Sequence, residues 1–340
     1  MKKSQIGIIL LIIALGAAFI ASIFYFSGDK ILRPMKLDKV RVQLKWLHQS
    51  QFAGFYAADQ LGYYAAQGIE VELLPGGPTV DVNSFDSLAD GSVDFSVVGG
   101  FDLLLGAAAG YDAVALMSIY QSTPTVFMSP SERGINKIEG FVGEKIGIQQ
   151  PEQRAIYRSM MKNKGLDFSG VREYAAAYDL QEQLKLEYNI MPGYIINEYL
   201  SALENGIEMN VFKPSDYGVD VYGDVLVASK EWLNANQDLV QRFVRATENG
   251  WGYTIVHPDL VPEIVSHYNP QADHNHELLM MTESLSLLLP PGSHFGHMDD
   301  TTWKAMSDML FDNGLIDEPA KINDIYDTSF MSINRHTLKN

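Results

Sequence analysis

Strand and helix signals alternate along most of the chain, and this alternation limits the possible folds more than any other feature of the sequence. Apolar and polar residues alternate strictly over 40–46, with the two-residue period of a β-strand. The polar stretch 48–51 ends the alternation, and aromatic residues then recur at helical spacing over 52–63. A second alternating segment, 69–73, runs into Pro75-Gly76-Gly77-Pro78. This order of signals predicts a βαβ unit.

The same alternation continues beyond this unit. Further strands are predicted at 95–98, 113–120, 145–148 and 172–177, with helices at 84–89, from Asp102, and at 153–162 and 180–186. Periodicity over 232–257, 260–268, 276–289 and 301–313 predicts helices through the last third of the chain. Strands that alternate with helices are typical of an α/β fold with a mostly parallel sheet.

Polar and aromatic residues gather where predicted strands end and helices begin. Four turns have this character: 46–51, 75–78, 99–102 and 120–123. In open α/β sheets a ligand lies outside the carboxyl ends of the strands, where helix N-termini present free N–H groups. We therefore expect the four turns to line one cleft, although Gly-Gly and Pro-Gly pairs also serve simply to make turns.

The start of the chain has a different composition from the rest. Lys2 and Lys3 precede about 21 residues without a charge, Ile6–Phe26, which is long enough for a helix to cross a bilayer. Cleavage at 16–18 would leave a strongly apolar new terminus. We predict an uncleaved anchor over 1–30 that tethers an extracytoplasmic protein to the membrane, with secretion after cleavage as the alternative.

Composition excludes several kinds of site and partner. The sequence contains no cysteine, so disulfides, thiolate metal sites and a cysteine nucleophile are excluded. The formal net charge of −17 disfavours binding to nucleic acid, and we predict no such partner. A hydrophobic content of 46% supports a sizeable folded core.

The sequence lacks the common motifs of catalytic sites. Gly-x-Ser-x-Gly, His-Glu-x-x-His and phosphate-loop motifs do not occur in the sequence. His274 with His276 and His294 with His297 have spacings found in metal sites, but a third and a fourth ligand cannot be assigned to either pair. We predict no metal, no cofactor and no enzymatic activity.

Several blocks of sequence, taken in order, resemble one known family. The first is 40–78, which opens Val-Arg-Val-Gln-Leu-Lys-Trp-Leu-His-Gln-Ser-Gln-Phe-Ala-Gly-Phe-Tyr. The later blocks are Leu88–Phe95, Tyr120–Pro124, Gly193–Glu198, Asp216–Val219 and Tyr222–Asp224. Together they resemble the NMT1/THI5-like family of periplasmic solute-binding proteins over about 40–330, nearly all of the chain beyond the predicted anchor.

The resemblance implies an α/β, type II periplasmic-binding-protein fold, with two doubly wound lobes joined by two crossings. It also implies capture of a thiamine pyrimidine precursor, riboflavin or a related planar molecule for an ABC importer, with permease and ATPase partners. Related domains sense ligands for membrane signalling systems, and fungal members are pyrimidine-forming enzymes with a Cys-rich iron-binding motif. Because this chain has no cysteine, it cannot have that motif.

The first turn departs from the members that bind the thiamine pyrimidine. Those members resemble Trp-x-Pro-Asn-x-Asn-His, whereas this chain has Trp46-Leu47-His48-Gln49-Ser50-Gln51-Phe52. Trp46 is retained, and Gln-Phe-Ala-Gly at 51–54 is more similar to the riboflavin-type and uncharacterised branches. The identity of the ligand therefore stays open.

The candidate ligand-binding residues come from these turns and blocks. Trp46 would stack on a planar ligand, while Gln49, Gln51, Asn197 and Glu198 would bond the edge of its ring. The other candidates are His48, Phe52, Tyr56, Gly99, Tyr120, Gln121, Tyr194, Tyr217, Tyr222 and Asp224. The alternatives are core packing for the aromatic residues, helix capping for the glutamines and an interlobe salt bridge for Glu198.

The resemblance and the two strand–helix cycles together predict how the lobes are built. Lobe one would comprise 40–128 plus 225–340, and lobe two would comprise 129–224. The chain would cross between the lobes near Val126–Ser129 and Gly223–Val227, which are extended and apolar. The lobes would close around the ligand.

Overall fold

The structure is a computed structural model that describes residues 36–77 and 84–332. The predicted anchor over 1–30 and Pro78 lie outside these ranges. Within them, no helix combines the length and the apolar character needed to cross a membrane.

The chain alternates strands and helices as the sequence predicts. The strands are β1 (Asp38–Gln43), β2 (Ile69–Leu74), β3 (Phe95–Gly99), β4 (Ala113–Ser118), β5 (Thr125–Pro130), β6 (Lys145–Ile148), β7 (Arg172–Ala175), β8 (Met191–Tyr194), β9 (Met209–Phe212) and β10 (Asp224–Ser229). The α-helices are α1 (Ala53–Gln60), α2 (Tyr63–Ala66), α3 (Ser84–Ala89), α4 (Gly100–Ala108), α5 (Pro151–Asn163), α6 (Leu180–Leu184), α7 (Glu198–Glu204), α8 (Lys230–Ala235), α9 (Gln237–Val256), α10 (Val261–Ser266), α11 (His274–Leu288) and α12 (Asp300–Asp312).

The first sheet has five strands in the order β2-β1-β3-β10-β4. Strand β1 pairs in parallel with β2 and β3, as expected for βαβ units. Strand β10 is antiparallel to both of its neighbours, β3 and β4. The carboxyl ends of β1 and β3 therefore meet at one edge, together with the beginning of β10.

The second group of strands repeats this order. Strands β8, β5 and β9 form an antiparallel sheet, β6 and β7 pair in parallel, and a bridge between Ile146 and Ile190 joins the two sets. The resulting order is β7-β6-β8-β5-β9, with β5 in the position that β10 has in the first sheet. The expectation of mostly parallel pairing is wrong for β5, because this strand arrives directly from the first sheet without a helical crossover.

The chain passes between the two sheets twice. The first passage follows β4, which ends at Ser118, and precedes β5, which begins at Thr125; the second lies between Phe212 and Asp224. The segment Val126–Ser129, predicted as a crossing, is instead a buried part of β5 that pairs with β8 and β9. Residues 224–227 of the second predicted crossing, Gly223–Val227, likewise belong to β10, so both passages lie a few residues earlier than predicted.

The C-terminal helices fix the turn that follows β1. Helix α1 crosses α9 so closely that a Cβ on Gly250 would lie 2.0 Å from the Gly54 carbonyl oxygen. The N–H of Ser50, just before α1, donates to Glu277 Oε2 at 2.6 Å, and its hydroxyl donates to the Glu277 carbonyl at 2.9 Å. The turn at 46–51 is thus held by residues about two hundred positions away in sequence.

Candidate ligand-binding cavity

A cavity of about 310 Å³ opens where the strand ends of the two sheets face each other. From the first sheet and its turns it is lined by Gln43, Leu44, Lys45, Trp46, Gln51, Gly76, Gly77, Ser84 and Asp102. From the second sheet and its turns it is lined by Thr125, Gln149, Gln150, Glu152, Gln153, Tyr178, Tyr194, Asn197 and Glu198. We call these two sets the first-sheet wall and the second-sheet wall.

Lys45 is the centre of a polar network in the first-sheet wall. Its Nζ donates to the Tyr194 hydroxyl at 3.1 Å and lies 3.6 Å from a carboxylate oxygen of Asp102 and from one of Asp224. Burial alone would lower the pKa of the Lys45 ammonium, but Tyr194, Asp102 and Asp224 together raise it well above its usual value. Lys45 is therefore a cation whose charge is already matched by protein groups.

Asp224 extends this network behind the cavity. Its buried Oδ2 accepts a hydrogen bond from Gln51 Nε2 at 2.6 Å, and Gln51 Oε1 accepts one from Gln49 Nε2 at 2.7 Å. Asp224 Oδ1 is buried and has no hydrogen-bond partner among the described residues. Burial raises the pKa of the Asp224 carboxyl. The predicted ligand contacts of Gln49 and Gln51 would require these bonds to be exchanged on binding.

Gly99 lies beside the cavity and makes the network possible. Its N–H donates to Asp102 Oδ2 at 2.9 Å. A Cβ at this position would lie 2.7 Å from Asp102 Oδ2 and 2.8 Å from Lys45 Nζ. Glycine therefore leaves the room in which Lys45 and Asp102 approach each other.

Two carboxyl groups of the second-sheet wall lie at the beginnings of helices. Glu198 is the first residue of α7, and its Oε2 accepts a hydrogen bond at 2.6 Å from the N–H of Tyr194, at the end of β8. Burial raises the pKa of Glu198 to about 7. Glu152 is in the first turn of α5, where burial and then the charge of Asp102 raise its pKa to about 7. Both groups therefore change protonation near neutral pH.

Aromatic rings from the two walls meet in the cavity. Trp46 follows β1 and Tyr178 follows β7, with their ring centroids 5.5 Å apart and their planes tilted by 47°. Gln150 Nε2 donates to the Tyr178 hydroxyl at 2.5 Å. Trp46 thus lines the cavity and contacts a ring that sequence reasoning did not select.

Amide side chains complete the lining. Gln43 Nε2 donates to the Pro75 carbonyl at 2.9 Å, which ties β1 to the loop after β2. Gln153 Oε1 accepts from the Gln150 N–H at 3.2 Å and caps the beginning of α5. Asn197 precedes α7 and lines the cavity without capping the helix through its side chain.

Four predicted site residues from the first turn and α1 are not in the cavity lining, namely His48, Gln49, Phe52 and Tyr56. Phe52 and Tyr56 are fully buried in the core. His48 Nδ1 is 3.0 Å from the Tyr56 hydroxyl, and the Tyr56 ring stacks on Tyr268 at a centroid distance of 4.2 Å. The aromatic residues of α1 therefore pack against the C-terminal helices.

The turn 120–123 also lies away from the cavity. The Tyr120 hydroxyl is hydrogen-bonded to Ser284 Oγ at 2.9 Å, and Gln121 Nε2 donates to the Leu288 carbonyl at 2.8 Å. Ser122 and Thr123 line a separate cavity of about 50 Å³. The expectation that all four turns line one cleft is wrong for this turn, because α11 takes up its polar groups.

Tyr217 and Tyr222 have packing roles in the structure. Tyr217 is half-buried, with Lys164 Nζ 5.7 Å from its ring centroid. The Tyr222 hydroxyl accepts from the Asp299 N–H at 2.8 Å, and its ring lies 5.0 Å from that of Trp303. Of the predicted site residues, the structure therefore brings Trp46, Gln51, Tyr194, Asn197 and Glu198 together in the cavity lining.

The histidine pairs do not form a metal-ligand cluster in the described ranges. Across 36–77 and 84–332, no group of three or more His, Asp or Glu side chains is arranged to hold a metal ion. His276 Nδ1 lies 2.9 Å from Glu204 Oε2, so it contacts α7.

The strand order and the cavity between the sheets define a periplasmic-binding-protein fold. A solved structure, the periplasmic aliphatic sulphonate binding protein SsuA from Escherichia coli, superposes with a TM-score of 0.67 at 13% identity, covering 84% of this chain and 91% of that one. The sequence profile described as NMT1/THI5 like matches residues 49–260, and the chain belongs to this family. The resemblance seen in the sequence is thereby confirmed.

Three relatives with assigned names are similar over most of the chain. The formylaminopyrimidine-binding protein of Halalkalibacterium halodurans is 23% identical, covering 85% of this chain and 90% of its own length. The riboflavin-binding protein RibY of Chloroflexus aurantiacus is 23% identical over 87% of this chain and 86% of its length. The 4-amino-5-hydroxymethyl-2-methylpyrimidine phosphate synthase of Legionella pneumophila is 23% identical over 69% of this chain and 75% of its length.

Proposed function

We propose that this protein is an extracytoplasmic solute-binding protein that captures a small planar heteroaromatic ligand for an ABC importer. The observation that carries the proposal is the cavity between the two sheets, where Trp46 and Tyr178 offer ring surfaces. Asn197 and Glu198 lie in the same lining and can bond the N–H and C=O groups at the edge of a heterocycle. A volume of about 310 Å³ suits a compact ligand.

The names of two relatives support this ligand class, since one binds a formylaminopyrimidine and the other riboflavin. We propose that the two sheets are the centres of two lobes, as in type II binding proteins, and that the lobes close around the ligand. The hydrogen bond from Lys45 to Tyr194 would then join the lobes. The same proposal includes the membrane anchor over 1–30 and a permease and an ATPase as partners. The alternative is that the protein senses the ligand for a membrane signalling system.

An enzyme of pyrimidine synthesis is the second candidate. The similarity to a 4-amino-5-hydroxymethyl-2-methylpyrimidine phosphate synthase favours it. The absence of cysteine from the sequence excludes the Cys-rich motif of the fungal enzymes. Formation of a pyrimidine phosphate by the purified protein would establish this candidate in place of the binding protein.

The direct test is identification of the ligand. The full chain would be purified, any co-purifying small molecule identified by mass spectrometry, and riboflavin and formylaminopyrimidine then titrated by calorimetry. We expect one of these two ring systems to bind with one ligand per chain. If no heteroaromatic molecule co-purifies and neither titration releases heat, the proposed function is wrong.

A further inference from the structure

Acidic side chains outnumber basic ones in the lining of the cavity. Among the charged residues that line it in the described part of the chain, Lys45 is the sole base, whereas Asp102, Glu152 and Glu198 are acids. Asp224 lies behind Lys45, with its Oδ1 3.6 Å from Nζ. Two carboxylates and a tyrosine hydroxyl thus surround the ammonium group.

Glu152 acts across the cavity. It belongs to the second-sheet wall and lines the same cavity as Asp102 and Lys45 of the opposite wall. Burial, first, and then the charge of Asp102 raise the pKa of its carboxyl. Charges in a partly buried cavity interact more strongly than they do in water. A ligand anion placed between these walls would therefore add to a repulsion that Lys45 does not offset.

We infer that the cavity admits uncharged or cationic ring ligands and rejects anionic ones, and that Glu152 is the residue of the second-sheet wall that enforces this choice. The inference rests on the proposed function, because it specifies the ligand class of the same cavity. A site for a sulphonate or a phosphate ester needs basic side chains or N–H groups without partners. Amino and imide N–H groups, in contrast, match the acceptor oxygens of Glu152 and Glu198.

The rejection of anions varies with pH. The carboxyl groups of Glu152 and Glu198 lose their protons near neutral pH, so the cavity is more negative at pH 8 than at pH 6. The groups that act on Glu152 are Asp102 and Lys45, and those that act on Glu198 are the Tyr194 N–H and Asp179. We expect anions to be rejected more weakly as the pH falls through this interval.

The test compares ligands that differ in a phosphate group. The full chain would be titrated calorimetrically at pH 8 with riboflavin and its 5′-phosphate, and with 4-amino-5-hydroxymethyl-2-methylpyrimidine and its phosphate. We expect the phosphate ester of the ring that binds to be weaker by about tenfold or more. Glu152→Gln keeps the size of the side chain and removes its charge. It should therefore reduce the ratio of the two dissociation constants, ester over parent ring, by roughly fivefold.

The control variant is Glu231→Gln, which changes an exposed glutamate in the first turn of another helix, α8. It should leave the difference between ester and parent ring unchanged. An ester that binds the wild-type protein as tightly as its parent ring overturns the inference while leaving the proposed function intact. A difference that Glu152→Gln does not alter also overturns it, because the cause would then be the size of the phosphate.

A second pair of probes separates failure of this inference from failure of the proposed function. If neither uncharged ring binds, benzylamine and benzenesulfonate, which differ in the sign of their charge, test the cavity itself. The proposed function is wrong only if its own test, by co-purification and titration, also fails. Stabilisation by the amine in a thermal melt upholds the rejection of anions. Stabilisation by the sulfonate, or by neither probe, overturns it.

Discussion

The two walls of the cavity differ in how their polar groups are satisfied. In the first-sheet wall, Lys45 and Gln51 are joined through Asp224, behind the cavity, into one polar network. In the second-sheet wall, Glu152 and Glu198 sit at helix beginnings, with pKa values raised to about 7. Groups that are already positioned lose little freedom when a ligand binds, whereas titratable groups respond to the solution. The first-sheet wall therefore holds a fixed arrangement of charges, whereas the charge of the second-sheet wall changes near neutral pH.

The largest effect should come from breaking the network of the first-sheet wall. Asp224→Ala leaves Lys45 and Gln51 without their buried partner, and we expect the free energy of unfolding to fall by about 3 kcal/mol. Urea denaturation measures this loss. Asp308→Ala, which breaks an exposed ion pair with Lys304, should cost less than about 1 kcal/mol. Equal losses in the two variants would show that the network does not hold the wall.

The aromatic rings allow the walls to be compared through ligand affinity. Trp46→Ala should weaken binding of the ligand identified by mass spectrometry by roughly ten- to hundredfold, because ring stacking and apolar area are lost. Tyr178 is 38% exposed, so Tyr178→Ala should weaken binding less, by about threefold. Calorimetric titration of both variants checks this order. An unchanged affinity in Trp46→Ala would return Trp46 to a packing role.

The second-sheet wall should make stability depend on pH. The folded pKa of Glu152 is raised above its unfolded value, so the folded protein retains a proton that the unfolded chain releases between about pH 4.5 and 7. Stability from this group is therefore lost as the pH rises through that window. Glu152→Gln should be more stable than wild type by about 1 kcal/mol at pH 8, with no such gain at pH 4. Urea midpoints at both pH values test this, and the same gain at both would contradict the assigned cause.

The smallest effect on binding should come from residues outside both walls. Tyr222→Phe removes the acceptor of the Asp299 N–H and should cost about 1 kcal/mol of stability. Because Tyr222 does not line the cavity, ligand affinity should not change. Thermal melts and calorimetry of this one variant separate the two quantities. A large loss of affinity would show that the ligand site extends beyond the cavity.

Local periodicity was sufficient to predict the elements that carry the first-sheet wall. The alternation over 40–46 places β1, and the strand-end rule finds Trp46 and Gln51 after it. The same rule, applied after β6 and β7, points to Gln149 and Tyr178, which also line the cavity. This part of the cavity lining can therefore be predicted from the sequence.

Other features depend on pairings that leave no local signal. Lys45 and Asp224 are brought together because β10 lies beside β3, and no spacing in the sequence indicates that pair. Strand β8 reads Met-Pro-Gly-Tyr, which lacks both alternation and high strand propensity, so its position follows from pairing with β5. The helical spacing of Phe52 and Tyr56 gave a correct helix, but it could not distinguish a ligand-facing side from a core-facing one.

Strand β10 has a consequence for how the chain is made. It lies between β3 and β4, yet all strands of the second group precede it in the sequence. As the chain emerges from the ribosome, β3 and β4 lack the strand that joins them until residue 229 has been synthesised, whereas β5 to β9 are complete by Phe212. Pairing between distant segments is slow, and open strand edges in the meantime favour aggregation. We therefore expect the second sheet to be the first of the two that can form, and the first sheet to be completed only when β10 inserts.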